Sequence, residues 1–159
     1  MYKKNIRKIY PISFTKEGLD KIKKDYETLL RTRPDAVKTL SDARNLGDLS
    51  ENGLYKSARS RLSGIDANLR RLKNIIKFAV VRTSSNNGII GIGSTVEIFD
   101  GKDNKTFRIV GTYESNPKTN SISVKSPIGH ALVGKKVGDH TVVRTPKGPI
   151  SYKILSVQV

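Results

Sequence analysis

Hydrophobic residues in the first half of the chain recur with the spacing of one face of a helix. They alternate steps of three and four positions, a heptad pattern that predicts one long α-helix over residues 15–46. Thr15 is the expected N-cap, and we expect Pro34 to kink the helix or to leave a hydrogen bond open. The members of this stripe, of which only Arg33 is polar, are Leu19, Ile22, Tyr26, Leu29, Arg33, Ala36, Leu40 and Ala43.

A second stripe of the same kind follows shortly afterwards and predicts a second helix. Its members are Leu54, Ala58, Leu62, Ile65, Leu69, Leu72 and Ile76. Gly47 lies between the two stripes and favours a turn. Two heptad stripes joined by so few residues predict an antiparallel coiled-coil hairpin, whose first arm would be roughly 48 Å long. A small domain cannot enclose a hairpin of that length, so we expect its end to project into solvent.

The second half of the chain follows a different pattern, in which Val, Ile, Thr and Ser alternate with Gly and Pro. The predicted fold class is therefore α+β, with an N-terminal helical hairpin followed by a small, mostly antiparallel sheet and one short helix. The predicted strands are 95–99, 106–113, 121–125, 141–145 and 150–158, and the predicted short helix is 128–134. The predicted divisions are a basic extension at 1–11, a hairpin domain at 12–83, a linker at 84–91 and a C-terminal domain at 92–159.

Composition adds a strong positive charge to this picture. The 30 Lys and Arg residues outnumber the 14 Asp and Glu residues, which gives a net charge of +16. An excess of this size favours a polyanionic partner, and nucleic acid is the commonest one. The chain has no cysteine and only two histidines, which excludes disulfides, thiolate metal sites and histidine-rich metal sites. We find neither a long apolar run nor a signal-peptide pattern, so we expect a cytoplasmic protein.

The predicted turn contains two acidic residues whose role the chemistry leaves open. Asp48 and Glu51 are three positions apart, so even one helical turn places both carboxylates on one side. One interpretation is a capping box, in which Asp48 is the N-cap of the second helix and Glu51 reaches back. The other is a pair that binds a divalent cation such as Mg²⁺, which prefers carboxylate oxygens. Chemistry alone favours the cap, whereas the position at the far end of a basic hairpin favours the metal-binding pair.

Four runs of sequence resemble one protein family, in the order in which that family has them. They are ISFTKEGLDKIKKDYETL (12–29), ARNLGDLSEN (43–52), SPIGHALVGKKVGD (126–139) and TPKGPISYKI (145–154). On these runs the chain resembles the bacterial Gre transcript-cleavage factors, and within them the GreA branch. The resemblance implies a coiled-coil hairpin followed by an FKBP-like C-terminal domain.

The resemblance also implies a function, that of an accessory factor of RNA polymerase rather than an enzyme. The hairpin end would enter the secondary channel of the polymerase and stimulate cleavage of backtracked nascent RNA, so that arrested complexes resume elongation. Asp48 and Glu51 would be the catalytic pair, with Ser50 in support. They would hold an Mg²⁺ ion shared with the polymerase active site, and the isolated protein would bind none tightly.

Two contact surfaces belong to this interpretation, and we expect the free protein to be a monomer. Candidates for docking on the rim of the channel are Ser126, Pro127, Ile128 and Gly129. Candidates for contact with the nascent RNA 3′ end are Lys38, Arg44, Lys56, Arg59, Arg61 and Tyr55. For any one of the basic residues an ordinary solvated surface is nearly as good an explanation, and helix packing explains Tyr55 better.

Gly53 and Leu54 depart from the family pattern, which usually has alanine and an acidic residue there. Their presence leaves room for a related regulator that occupies the channel without stimulating cleavage. The net charge of +16 departs from the acidic balance of the GreA branch as well. It predicts stronger non-specific binding of RNA or DNA, and it leaves a third interpretation open, a general basic nucleic-acid-binding protein.

Overall fold

A computed structural model of the chain describes residues 11–46, 52–84, 87–146 and 148–159. Their contacts divide them into two compact units. The helical unit is Asp20–Phe78, and the sheet unit comprises Ala79–Val159 together with the described part of Met1–Leu19. These units are defined by contacts, and the domain limits that composition suggests stay a prediction.

Two long helices form the hairpin, as the heptad stripes predict. Helix α1 spans Lys16–Arg44 and helix α2 spans Gly53–Lys77. The side-chain amide of Asn52 donates to the Ala43 carbonyl at 3.0 Å, so the end of α1 meets the start of α2 and the helices are antiparallel. The apolar cluster between them consists of the buried Ala36, Ile65 and Leu69, with Tyr26, Leu29 and Leu62 packed against them. The predicted hairpin is confirmed.

The one polar member of the first stripe, Arg33, forms an ion pair across the hairpin. Its Nε lies 2.7 Å from Oδ1 of Asp66, and its Nη2 lies 3.4 Å from Oδ2. The hydrogen bond from Arg33, together with the charges of Arg33 and Arg70, holds the pKa of Asp66 below its ordinary value of 3.8. Both side chains remain accessible to solvent, so the pair specifies which residues face each other more than it stabilises the fold.

The next residue, Pro34, lies inside α1 and has no N–H to donate to the preceding turn.

The first turn of α1 is held by a carboxylate from far along the chain. Thr15 caps the helix as predicted, since its hydroxyl accepts from the Gly18 N–H at 3.0 Å. Glu114 accepts from the backbone N–H of Thr15 at 3.1 Å, from its hydroxyl, and from the Gly111 N–H at 2.9 Å. Because Thr15 is only 5% exposed, the carboxylate satisfies donors that water hardly reaches. A Cβ added at Gly18 would lie 1.7 Å from Oε1 of Glu114, so the glycine makes room for this contact.

The sheet unit, in its described residues, holds a pair of short strands and a five-stranded sheet. The pair is β1 (Ile12–Phe14) and β2 (Ala79–Val81), which run parallel. The larger sheet is formed by β3 (Thr95–Phe99), β4 (Asn104–Val110), β5 (Ser121–Ser123), β6 (His140–Thr145) and β7 (Gly148–Gln158). Its strand order is β5-β4-β3-β7-β6, and only the β4–β5 pair is parallel, so the predicted mostly antiparallel sheet is confirmed.

One face of this sheet is covered by the short helix α3 (Pro127–Leu132), and a single-turn 3₁₀-helix at Pro117–Thr119 precedes β5. Alternate residues of the central strands β3 and β7 are buried, as the alternation in the sequence predicts, and they share a core with Leu132 of α3. The core consists of Ile90, Val96, Ile98, Ile109, Leu132, Val143, Tyr152 and Ile154.

Several features of the sheet unit differ from the sequence expectations, and one is that α3 ends at Leu132 rather than at residue 134. Strands β1 and β2 are not predicted, because three residues are too few to display an alternating pattern. Strand β4 ends at Val110 rather than at residue 113. Gly111 follows it and lies so close to β1 that an added Cβ would be 2.1 Å from the Ser13 carbonyl oxygen, which turns the chain away from the ladder. Strand β5 likewise ends at Ser123 rather than at residue 125, because a turn at 124–125 follows it and leads to Ser126, the cap of α3.

Candidate functional site at the hairpin end

The ends of the two helices are closed by local hydrogen bonds. At the end of α1 the Asn45 N–H donates to the carbonyls of Ser41 and Asp42, at 3.2 Å in each case. At the start of α2 the Asn52 side-chain oxygen accepts from the Tyr55 N–H at 3.0 Å, which makes Asn52 the N-cap. These bonds satisfy backbone groups that a helix end leaves unpaired.

The three predicted catalytic residues, Asp48, Ser50 and Glu51, lie outside the described residues, and their roles stay predictions. The capping-box interpretation can nevertheless be tested, because α2 itself is described. Its N-cap is Asn52, so the assignment of Asp48 as the cap of α2 is wrong. The sequence pattern misled because Asp48 and Glu51 have the spacing of a capping box, whereas Asn52 directly precedes Gly53, a weak helix former.

The net positive charge of the hairpin lies mainly on α2, because acidic residues offset most of the basic ones on α1. α2 carries seven basic residues and one acidic residue, Asp66, which is already paired with Arg33. α1 carries eight basic residues but also six acidic ones. The RNA-contact candidates that are exposed are Lys38, Arg44, Lys56, Arg59 and Arg61. An exposed helix with this excess of basic residues attracts phosphate groups without reading sequence.

Apolar side chains also reach the surface near the hairpin end. Leu46 is 70% exposed and Leu54 is 66% exposed, and they border a shallow groove whose floor includes Ala43 and Ala58. Tyr55 is half-buried, as expected of a residue that packs on the hairpin. Leu54 is thus an exposed apolar residue in the first turn of α2.

Three of the four docking candidates have structural roles in the sheet unit. Ser126 caps α3, since its hydroxyl accepts from the Gly129 N–H at 3.0 Å and donates to the Ser123 carbonyl at 2.7 Å. Gly129 is buried, and an added Cβ would lie 2.1 Å from the same carbonyl oxygen. Ile128 packs against the core, which leaves Pro127 as the exposed member of the four. Their contact with a polymerase stays a prediction.

The described part of the chain contains no group of three or more His, Cys, Asp or Glu side chains that could hold a metal ion. Within the same residues, no helix is long and apolar enough to cross a membrane. The residue types that suit Mg²⁺ are instead the two carboxylates between the helices, Asp48 and Glu51. Two carboxylates form only part of an Mg²⁺ coordination shell, so any such site needs ligands from a partner.

Comparison with known proteins gives matches along most of the chain. Residues 12–81 match the family described as transcription elongation factor, N-terminal, and residues 85–159 match transcription elongation factor, GreA/GreB, C-terminal. The chain is 41% identical to the transcription elongation factor GreA of Maridesulfovibrio salexigens, over 92% of this chain and 94% of that protein. It is 39% identical to GreA of Mycoplasma capricolum, over 92% of this chain and 98% of that protein. The crystal structure of a GreA factor homolog from Thermus thermophilus is 26% identical and covers 94% of this chain and 99% of that one, with a TM-score of 0.44.

Proposed function

The chain belongs to the GreA/GreB family of transcription elongation factors, and from this premise we propose that it binds RNA polymerase and stimulates cleavage of backtracked nascent RNA. In this role it is an accessory factor that has no hydrolytic activity of its own. The hairpin end enters the secondary channel, and the sheet unit docks on the channel rim around Pro127. Cleavage leaves a new RNA 3′ end in the polymerase active site, from which elongation resumes.

One observation carries this proposal, the acidic connection at the end of a basic hairpin. The connection between α1 and α2 contains Asp48 and Glu51, while the helix that follows it is strongly basic. Because Asn52 supplies the N-cap of α2, neither acid is required for capping. Acids that a helix does not need for its cap are candidates for binding a cation or a reacting group.

The chemistry of the two carboxylates fits a metal-assisted phosphodiester cleavage. Asp48 and Glu51 would hold an Mg²⁺ ion through their hard oxygen ligands, with the remaining ligands left to the polymerase, the RNA and water. Such an ion would supply electrostatic stabilisation of the phosphodiester oxygens during cleavage. The Ser50 hydroxyl hydrogen-bonds the attacking water or the phosphate and so orients it. The exposed cations Lys56, Arg59 and Arg61 contact phosphates of the extruded RNA.

The test is a purified polymerase complex stalled in a backtracked position with a radiolabelled RNA. Wild-type protein is expected to shorten the RNA from its 3′ end, and the trimmed complex is expected to resume synthesis. We expect Glu51→Ala and Asp48→Ala to lower the rate at saturating factor by on the order of 10²-fold, as for the loss of one preorganised active-site contact. Polymerase affinity is expected to stay unchanged.

Asp42→Ala is the matched control, because Asp42 is an exposed acid in the last turn of α1 but outside the connection. It is expected to cleave at the wild-type rate. Full stimulation by the Asp48→Ala, Glu51→Ala double variant would refute the assignment of the two acids. A loss in Asp42→Ala as large as in Glu51→Ala would show that general acidity near the hairpin end matters instead.

A second candidate function is a channel-binding regulator that does not stimulate cleavage. The exposed Leu54, in place of the usual acid, favours it. Such a protein would inhibit RNA synthesis by the polymerase and leave the RNA of the stalled complex at full length. A general nucleic-acid-binding protein, favoured by the charge of +16, would bind free RNA equally well without polymerase. The same assay separates all three functions.

A further inference from the structure

The five-stranded sheet has two edge strands, and within the described residues the chain covers the outer side of one of them. At β5 the Asn116 N–H donates to the Ser121 carbonyl at 2.9 Å, and the Ser121 N–H donates back to the Asn116 carbonyl at 3.1 Å. The Ser126 N–H donates to the Ser123 carbonyl at 2.9 Å, so β5 has partners along its outer side. At the opposite edge β6 pairs with β7 alone, and no other strand in the described part of the chain adjoins it.

The register of β6 on β7 identifies the backbone groups that point to this open edge. The Ile154 N–H donates to the carbonyl of Asp139, the residue before β6, at 3.0 Å. Bonded and non-bonded pairs alternate along an antiparallel ladder, so every second residue of β6 turns its N–H and C=O groups away from β7. Pro149 has no N–H and lies opposite Arg144, which fits a non-bonded pair. The residues whose backbone groups point outward are His140, Val142 and Arg144.

The side chains of the same three residues are exposed on one face of the sheet. Val142 is 60% exposed, whereas the next residue, Val143, is 2% exposed and faces the core. His140 and Arg144 are exposed on either side of Val142, two positions away in each direction. Lys153 of β7 lies opposite His140 and is exposed as well. The open edge therefore combines one apolar side chain with a cationic surround.

Strand β6 has none of the features by which an edge strand avoids further pairing. It contains no proline, and its register with β7 runs from His140 to Thr145 without a bulge. A regular open edge accepts another extended strand through backbone hydrogen bonds, and the neighbouring side chains determine which strand fits. Beside this edge, Arg144 favours an acidic side chain, and Val142 favours an apolar one. His140 donates a hydrogen bond to a carboxylate in its neutral or its protonated form.

We propose that the outer edge of β6 binds an extended segment of a partner protein, in which an apolar side chain lies between two acidic ones at alternate positions. The apolar side chain lies beside Val142 and the acidic ones lie beside His140 and Arg144. A second copy of the chain fits poorly, because two β6 strands paired about Val142 would place His140 opposite Arg144. Each copy also has a net charge of +16, so two copies repel each other. The edge includes none of the residues assigned to cleavage.

Three labelled peptides test which strand the edge accepts, by fluorescence anisotropy with the full chain at about 0.15 M salt. The probe is Thr-Glu-Thr-Val-Thr-Glu-Thr, which has both acids on the same face as the valine. The first control, Thr-Thr-Glu-Val-Glu-Thr-Thr, has the same composition but places its acids on the opposite face. The second control has lysine in place of each glutamate of the probe. We expect the probe to bind about 10-fold more tightly than either control, because only the probe forms the charge pairs beside Val142.

Amide hydrogen exchange, followed residue by residue with NMR, tests strand addition itself. A saturating concentration of the probe is expected to slow exchange at His140, Val142 and Arg144 by at least about 10-fold, because each N–H gains an acceptor. The amides of Thr141 and Val143 already bond to β7, and their exchange is expected to change little. Binding of an acidic peptide elsewhere, such as on the basic helix α2, would not produce this alternation.

Two variants act on the edge, and each has a matched control. Val142→Pro removes an outward N–H and leaves the ladder to β7 intact, so it is expected to weaken probe binding about 10-fold. Val142→Thr keeps the N–H and is expected to weaken binding by no more than about 3-fold. Arg144→Glu is expected to reverse the preference between the probe and the lysine peptide. Lys118→Glu makes the same charge change near the β5 edge and is expected to leave the preference unchanged.

Circular dichroism checks the fold of each variant, and Arg144→Glu retains the test if Val142→Pro does not fold. Alternating protection in β6 together with the reversed preference supports the proposal. Equal binding of the two glutamate peptides would assign the attraction to charge alone and overturn it, as would the absence of binding or of slowed exchange. Sedimentation equilibrium tests the second copy, since a dimer that Val142→Pro separates would also overturn it. None of these measurements involves polymerase, so their failure would leave the proposed function untouched.

Discussion

The contact of Glu114 with the first turn of α1 allows a quantitative prediction about two residues that are far apart in sequence. Glu114→Ala removes the acceptor from the Thr15 N–H, from its hydroxyl and from the Gly111 N–H. Thr15 is 5% exposed, so its N–H loses a partner that water cannot easily replace, at a cost of about 1–3 kcal/mol. With the weaker losses at the other two donors, we expect the sheet unit to be destabilised by about 3 kcal/mol.

Gly18→Ala is expected to act on the same contact from the other side. The new methyl group would lie 1.7 Å from Oε1 of Glu114 and would displace the carboxylate, which is the end of a flexible side chain. The cost is therefore that of losing the Glu114 hydrogen bonds, offset by up to about 1 kcal/mol because alanine favours a helix more than glycine does. We expect a net loss of about 2 kcal/mol. In the Glu114→Ala background the clash is gone, so the same substitution is expected to stabilise by about 0.5–1 kcal/mol.

Urea unfolding followed by ¹⁹F NMR of fluorotyrosine provides the assay, since Tyr152 reports on the sheet unit and Tyr26 on the helical unit. The free energy of unfolding of the double variant is expected to fall by about 3 kcal/mol less than the sum of the two single-variant losses. This difference is far above the usual error of additivity. Gly64→Ala is the control, because Gly64 lies in α2 with no atom within 4 Å of its added Cβ, and it is expected to stabilise. Additive effects of Gly18→Ala and Glu114→Ala would refute the contact.

The remaining predictions concern α3, the hairpin and its charge. Gly129→Ala is expected to destabilise the sheet unit by about 1–3 kcal/mol, because the added Cβ would lie 2.1 Å from the Ser123 carbonyl oxygen. A folded, stable variant that binds polymerase less well would instead favour a docking role for Gly129. Because the pKa of Asp66 is lowered, its ionised form stabilises the hairpin at pH values above the ordinary pKa of 3.8. That contribution is lost as the pH falls through the lowered pKa. Wild-type protein is therefore expected to lose more of its melting temperature than Arg33→Leu when the pH is lowered below 4, and equal losses would contradict this. Arg70→Gln in the exposed surface of α2 is expected to weaken binding to single-stranded RNA and to lower the slope of log K against log salt by about 0.7 in a filter-binding series.

Much of the fold follows from the sequence because most elements bury one face. The heptad stripes predict α1 and α2 within two residues at most ends, since burial at steps of three and four has no other common explanation. Alternation predicts β3 at its observed limits, Thr95–Phe99. The pair β1–β2 escapes prediction because its partners are about 65 residues apart and only three residues long. Glu114 escapes for the same reason, since nothing near residue 114 indicates that its carboxylate meets Thr15.

The candidate site divides in the same way between what local sequence predicts and what it does not. The resemblance singles out Asp48 and Glu51 by their position in a run of residues, and the charge of α2 follows from counting. The role of Asn52 does not follow, because its second contact is to Ala43 on the other helix and depends on the closure of the hairpin. A capping pattern competes for the same residues, and sequence alone cannot tell which of several polar residues caps α2.

That competition changes the argument about the two acids. A capping box would give Asp48 and Glu51 a structural role, and their presence would then say nothing about chemistry. Since α2 is capped by Asn52, the capping-box explanation no longer applies to α2. Removal of the two acids should therefore leave the cap of α2 in place and cost this helix little stability.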